Sequence, residues 1–175
     1  MGELGERLAR GEAAAFAELY DLCADRLYHY LVSQLGSRDD ADEVLQETFL
    51  RLARGREKLA QVESIAGYAF MVARNEALRR LSTRTNENRR RAEAAELFVE
   101  ATHDDRDVRE AAEELTLALA RLRPEQREIV ELKTYGGLTL AEIAEVTGTP
   151  PGTVATRYRT AIGQLREWLS RTCHD

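Results

Sequence analysis

Residues 138–161 read LTLAEIAEVTGTPPGTVATRYRTA. The spacing is that of a helix-turn-helix: Ala144, then Gly148, then Val154. A small side chain at Ala144 lets two helices cross closely, Gly148 can take the positive φ of a tight turn, and Val154 buries the second helix on the first. Pro151 suits the first turn of that second helix. Beyond it Val154, Tyr158, Ala161, Ile162, Leu165 and Leu169 make an apolar stripe, which leaves Thr153, Thr156, Arg157 and Thr160 on a face that fits a major groove. The same spacing also suits an ordinary helical hairpin closed by a glycine.

Working back from this motif, the whole chain reads as all-α. Phe16, Leu19, Tyr20, Cys23, Leu27, Tyr30 and Leu31 recur at helical steps, so a core-facing helix is expected over residues 12–35 and Gly36 ends it. Ser37 with Asp40 resembles a capping box for a helix to about Ala53. That helix carries Ala41, Val44, Leu45, Thr48, Phe49 and Leu52 on one face, with Asp39, Asp40, Glu43, Gln46 and Glu47 on the other. A polar stretch follows to Glu63, and Ser64 then caps a helix through about Leu81 that turns Ile65, Tyr68, Ala69, Val72 and Ala73 inward. In the second half Leu115, Leu119 and Leu122 restore the helical pattern, Pro124 opens a helix, and Gly136 with Gly137 closes it. Two small helical domains, 1–82 and 110–175, are thus expected around a flexible charged linker at 83–109. Within the linker, Ala92 to Val99 has the pattern of a turn or two of helix.

Composition narrows the class. With 175 residues, 43% hydrophobic and 32% charged, and 3 prolines, the chain has the make-up of a helix-rich globular protein. Cys23 and Cys173 are too far apart in sequence to suggest a disulfide framework or a metal spacing. No signal peptide or membrane-spanning run is visible, so a cytoplasmic location without membrane insertion is expected. The net charge of −6 argues against nucleic acid only as an average: Arg74 to Arg91 is arginine-rich, and Ala92 to Glu114 is strongly acidic. No glycine-rich phosphate loop occurs, and His29, His103 and His174 do not cluster with other ligands. Neither an enzyme nor a cofactor or metal is therefore expected.

The residues 138–144 followed by Gly152-Thr153-Val154 and Arg157 resemble the C-terminal domain of extracytoplasmic-function sigma factors, and so does Leu122-Arg123-Pro124-Glu125-Gln126-Arg127 before them. Residues 39–49, Asp-Asp-Ala-Asp-Glu-Val-Leu-Gln-Glu-Thr-Phe, resemble that family's polymerase-binding helix, and Ala73-Arg74-Asn75 its promoter-melting helix. The resemblance implies core RNA polymerase and promoter DNA as partners, a monomer when free, and an inhibitory anti-sigma protein as a further partner of the family. It assigns the polymerase contact to Asp39, Asp42, Glu43, Gln46, Glu47 and Phe49. The melted (−10) promoter element falls to Ser64, Arg74, Asn75, Arg79 and Arg80, with Arg84 on phosphates. The upstream (−35) element falls to Thr139, Thr153, Thr156, Arg157 and Thr160. Read without the resemblance, the acidic run is a solvated face and the arginines are cations favoured near a helix C-terminus.

Three departures stand out. Tyr68 replaces a usual tryptophan, Met71 a usual arginine, and Ala155-Thr156 a usual Lys-Ser pair. Ala155 removes a cation from the recognition helix, and the segment from Leu115 on holds eight basic against seven acidic residues. Grip on the upstream element should therefore lean on polymerase holding both domains in place. The competing functions are a dimeric helix-turn-helix regulator that binds a palindrome without polymerase, and a helical adaptor that binds only protein.

Overall fold

A computed structural model describes residues 3–90, 115 and 117–172. The expected helix at 92–99, most of the linker, and the tail with Cys173 and His174 lie outside the described residues. All regular elements among the described residues are helical. Helices α1 (Glu3–Ala9), α2 (Ala13–Leu35), α3 (Arg38–Arg54) and α4 (Ile65–Arg90) build the first half. A 3-10 turn, Arg56–Ala60, lies between α3 and α4. The second half has a short helical stretch at 117–120, then α5 (Pro124–Thr134), α6 (Leu140–Thr147) and α7 (Pro151–Thr172).

Helix ends follow local chemistry. Gly36 takes φ 64° and its N–H bonds the Val32 carbonyl, stopping α2. Ser37 Oγ then accepts the Asp40 N–H at 3.3 Å to start α3. The reciprocal half of the expected capping box does not form. Asp40, expected on the exposed acidic side, is 8% exposed and is paired by Arg80 at 2.6 Å and Arg84 at 2.7 Å. Those two arginines sit on consecutive turns of α4 and follow Asp40 into the α3–α4 seam. Their pairing extends along α4, which runs on to Arg90 rather than stopping near Leu81, so the start of the expected linker is helical.

The polar stretch before α4 hides one core residue. Leu59 is 1% exposed, and α1 packs on its turn so closely that a Cβ on Gly5 would stand 2.6 Å from the Leu59 carbonyl oxygen. Tyr30 and Phe70 are both fully buried, with ring centroids 5.6 Å apart, an edge-to-face contact that joins α2 to α4.

The largest apolar cluster does not stop at the first half. It runs from Leu27, Leu31, Phe70 and Ala73 into Ile129, Leu132, Ile143 and Val146 of α5 and α6. A smaller cluster of Ala118, Leu122, Val130, Ala161 and Leu165 holds α5 to α7, and Arg121 lies over the Trp168 ring 3.3 Å from its centroid. The two helical halves expected from sequence are present, and they share a core.

Candidate functional site

On α3, Asp39, Asp42, Glu43 and Gln46 are exposed and fall at three- and four-residue steps, so they share one face. Glu47 is half-buried and accepts from Arg51 at 3.1 Å. Phe49 is half-buried beneath Tyr20, with ring centroids 5.0 Å apart. Tyr20, expected in the core stripe of α2, is instead 51% exposed. That stripe is wider than one buried face, and Tyr20 stands at its edge. The α3 surface therefore combines carboxylates with an aromatic pair that the sequence stripe had placed inside.

The α4 arginines are less free than their run in the sequence suggests. Arg79 pairs with Glu76 at 2.7 Å, and Arg80 reaches Glu43 at 2.7 Å besides Asp40. Glu76 is itself buried and accepts from Arg51 at 2.8 Å. Asn75 is exposed. Arg74 turns towards α5 and donates to both Glu128 carboxylate oxygens, at 2.7 and 3.2 Å. Ser64 caps α4 by accepting the Gly67 N–H at 3.0 Å, and the same spot on Gly67 lies against both Ser64 and Glu142 of α6.

The helix-turn-helix has the expected build. Gly148 takes φ 64° and the Thr149 N–H bonds the Ala144 carbonyl at 3.0 Å, closing α6. Val154 is fully buried. Thr139 caps α6, accepting the Glu142 N–H at 3.2 Å and donating to Glu142 Oε2 at 2.8 Å. Its hydroxyl thus serves the helix start, which the sequence reading assigned to DNA. Thr156 and Thr160 are exposed and donate to their own helix at Gly152 and Thr156, while Thr153 and Arg157 are half-buried. Ser64 and Thr139 together hold the Glu142 carboxyl below its ordinary value, Ser64 more strongly.

Sequence reading missed the seam between the halves. Glu131 of α5 is 1% exposed and accepts from Arg127 at 2.7 Å and from Ser33 and Gln34 at the end of α2. Arg127 also donates to the Ser33 carbonyl at 3.1 Å. Glu128 accepts from buried Tyr30 at 3.3 Å in addition to Arg74. The only sign in the sequence is a pair of acids, Glu128 and Glu131, on the inner side of a helix, which periodicity alone reads as surface. Among the described residues no group of His, Cys, Asp and Glu could hold a metal ion, and no helix is long and apolar enough to cross a membrane.

Two family models match the chain, sigma-70 region 2 over residues 19–87 and sigma-70 region 4 over residues 107–165. The chain is 33% identical over 178 residues to the ECF RNA polymerase sigma factor BldN of Streptomyces coelicolor, covering 97% of this chain and 66% of that protein. It is 32% identical over 165 residues to the ECF RNA polymerase sigma factor RpoE of Cereibacter sphaeroides, covering 91% and 88%. Among solved structures, the sigma factor RpoE of Bartonella quintana, held with the anti-sigma factor NepR, superposes with a TM-score of 0.75 at 22% identity, over 89% of this chain and 96% of that one. CnrH in complex with the cytosolic domain of CnrY gives 0.67 at 20% identity, over 96% of each chain. Both structures share the fold described above.

Proposed function

Because the chain belongs to the extracytoplasmic-function sigma factors of RNA polymerase, we propose that its α3 face is the contact that delivers it to the core enzyme. As a sigma factor it binds core polymerase and directs promoter-specific initiation. The observation that carries the α3 assignment is an exposed polar row of three acids, Asp39, Asp42 and Glu43, with Gln46, on a helix anchored underneath by Ala41, Val44, Leu45 and Leu52. Charge reversal at Asp42 and Glu47 together should abolish co-purification with core polymerase while the circular-dichroism spectrum stays helical. Undiminished co-purification would reject the assignment.

Promoter contact is divided between the halves. Ser64 caps α4, and Arg74, Asn75, Arg79 and Arg80 lie along its middle, where cations and an exposed amide suit a melted strand. The α7 face carries Thr153, Thr156, Arg157 and Thr160 for the upstream element. Arg157→Ala should cost about 1–3 kcal/mol of upstream-element discrimination if the guanidinium forks onto a base. Run-off transcription on a promoter library with core polymerase reads both this loss and the sequence recognised.

The protein acts in the cytoplasm as a monomer until polymerase or an anti-sigma protein takes it, and supplies no catalytic chemistry of its own. The anti-sigma partner is extended from the Bartonella quintana complex, whose fold this chain shares. A dimeric regulator is disfavoured because the family matches span both halves, including the acidic α3.

A further inference from the structure

We infer that α1 is a brace for promoter reading, and that Gly5 is the positioning residue through which it fixes the start of α4. The inference rests on the promoter role given to Ser64 and α4 above. A helix of seven residues holds little helical structure by itself, so α1 persists through its neighbours. Leu8 is fully buried in the main core, and Arg7 reaches Glu18 of α2 at 2.8 Å and Glu12 at 3.2 Å. The most extensive contact of α1 is with the 3-10 turn Arg56–Ala60. Gly5 is buried there, and a Cβ on it would fall 2.6 Å from the Leu59 carbonyl oxygen, a distance that real Cβ atoms do not adopt. Gly11, just past α1 at φ 79°, lets the Arg56 side chain come within 3.2 Å of where its own Cβ would be. The N-terminal segment thus meets the turn at two places, and at both a glycine permits the approach.

A connecting segment is ordinarily the mobile part of a binding surface. This one is tied down at Leu59, which is 1% exposed, a few residues before the α4 cap. Gln61 closes the turn by donating to the Lys58 carbonyl at 3.0 Å, and Ser64 Oγ accepts the Gly67 N–H at 3.0 Å. Only Val62 and Glu63 lie between those two bonded points. A displacement of Leu59 therefore carries into Ser64 and the first turn of α4, because no slack chain is left to absorb it. Groups that read a ligand by hydrogen bonds must be held to within about 0.5 Å, so a shift of that order changes which base is preferred. The exposed row of Asp39, Asp42, Glu43 and Gln46 on α3 takes no part in the Gly5 contact. The brace accordingly bears on promoter choice and leaves the polymerase contact alone.

Gly5→Ala in the full chain tests this, since one added methyl group must push α1 and the turn apart. Run-off transcription with core polymerase reads the result on two template pairs, one differing by a single base in the −10 element and the other by a single base in the −35 element. Each pair gives a ratio of transcripts from which the active fraction of protein cancels, so a mere loss of stability moves neither. Gly5→Ala should lower the −10 ratio by about threefold or more, keep the wild-type −35 ratio, and still be retained by core polymerase. An unchanged −10 ratio, or an equal fall in both ratios, would overturn the inference. If Gly5→Ala loses its helical circular-dichroism spectrum, Arg7→Gln carries the test, because it releases α1 from Glu18 without entering the core. It should lower the −10 ratio by about twofold, and no change there overturns the inference equally. A wild-type chain that does not distinguish the −10 templates removes the promoter role of α4 and the brace with it. Discrimination by wild type and by Gly5→Ala alike removes the brace alone.

Discussion

Single residues show how little of a side chain's task its type reveals. Cys23 sits in an amphipathic stripe and is 1% exposed, with its thiol donating to the Leu19 carbonyl at 3.1 Å. Burial pushes its pKa up to about 11, against a smaller pull from Arg26, so almost no thiolate exists at neutral pH. Iodoacetamide at pH 8 should leave the Cys23 peptide unmodified in the native chain and label it in denaturant, as mass spectrometry would show. Glu142 has the opposite kind of shift. Its folded pKa lies below the unfolded value of about 4.3, so its contribution to stability is full above that value and disappears as pH falls through the folded pKa. The difference in Tm between wild type and Glu142→Gln should therefore be largest near neutrality and shrink towards pH 3. Glu131→Ala should destabilise the fold by about 1–3 kcal/mol, measured as a lower urea midpoint, because it strands buried donors. The acids could be found in the sequence, but their partners could not, since Ser33 and Arg74 lie far away along the chain.

Elements were far more legible. The 3- and 4-residue recurrence of large apolar side chains marks α2, α3 and α7 because each buries one face, and Gly36, Ser37, Pro124, Gly148 and Pro151 mark ends for reasons local to the backbone. Gly148 allows a clean test. Its φ is 64° and a Cβ there would meet nothing within 4 Å, so Gly148→Ala changes backbone strain without a clash. A loss of about 1–2 kcal/mol in thermal or urea unfolding is expected; no loss would mean that the turn does not need the left-handed conformation. Where periodicity fails, the cause is again physical. Residues 83–90 carry almost no apolar signal, and α4 continues through them beside the ion pairs that Arg80 and Arg84 make with Asp40. Leu59 escaped notice because one buried residue in a short 3-10 turn sets no period.

At the scale of the whole molecule, the two halves and their family were readable, while their mutual packing was not. Ile129, Leu132, Ile143 and Val146 look like core of the second half, which periodicity predicts equally well whether that core is private or shared. Much of the polar traffic across the seam joins groups about 50 to 110 positions apart, from Arg74–Glu128 to Arg26–Tyr135. Periodicity accordingly marks each candidate surface separately, whereas the packing of α5 and α6 on α4 depends on contacts between distant stretches of sequence. The shared apolar seam also gives this packing a temperature dependence. Apolar burial weakens on cooling, because its driving force near 25 °C is entropic and its removal from water lowers the heat capacity. Chilling the free chain should therefore loosen the grip of α5 and α6 on α2 and α4, which share that apolar seam.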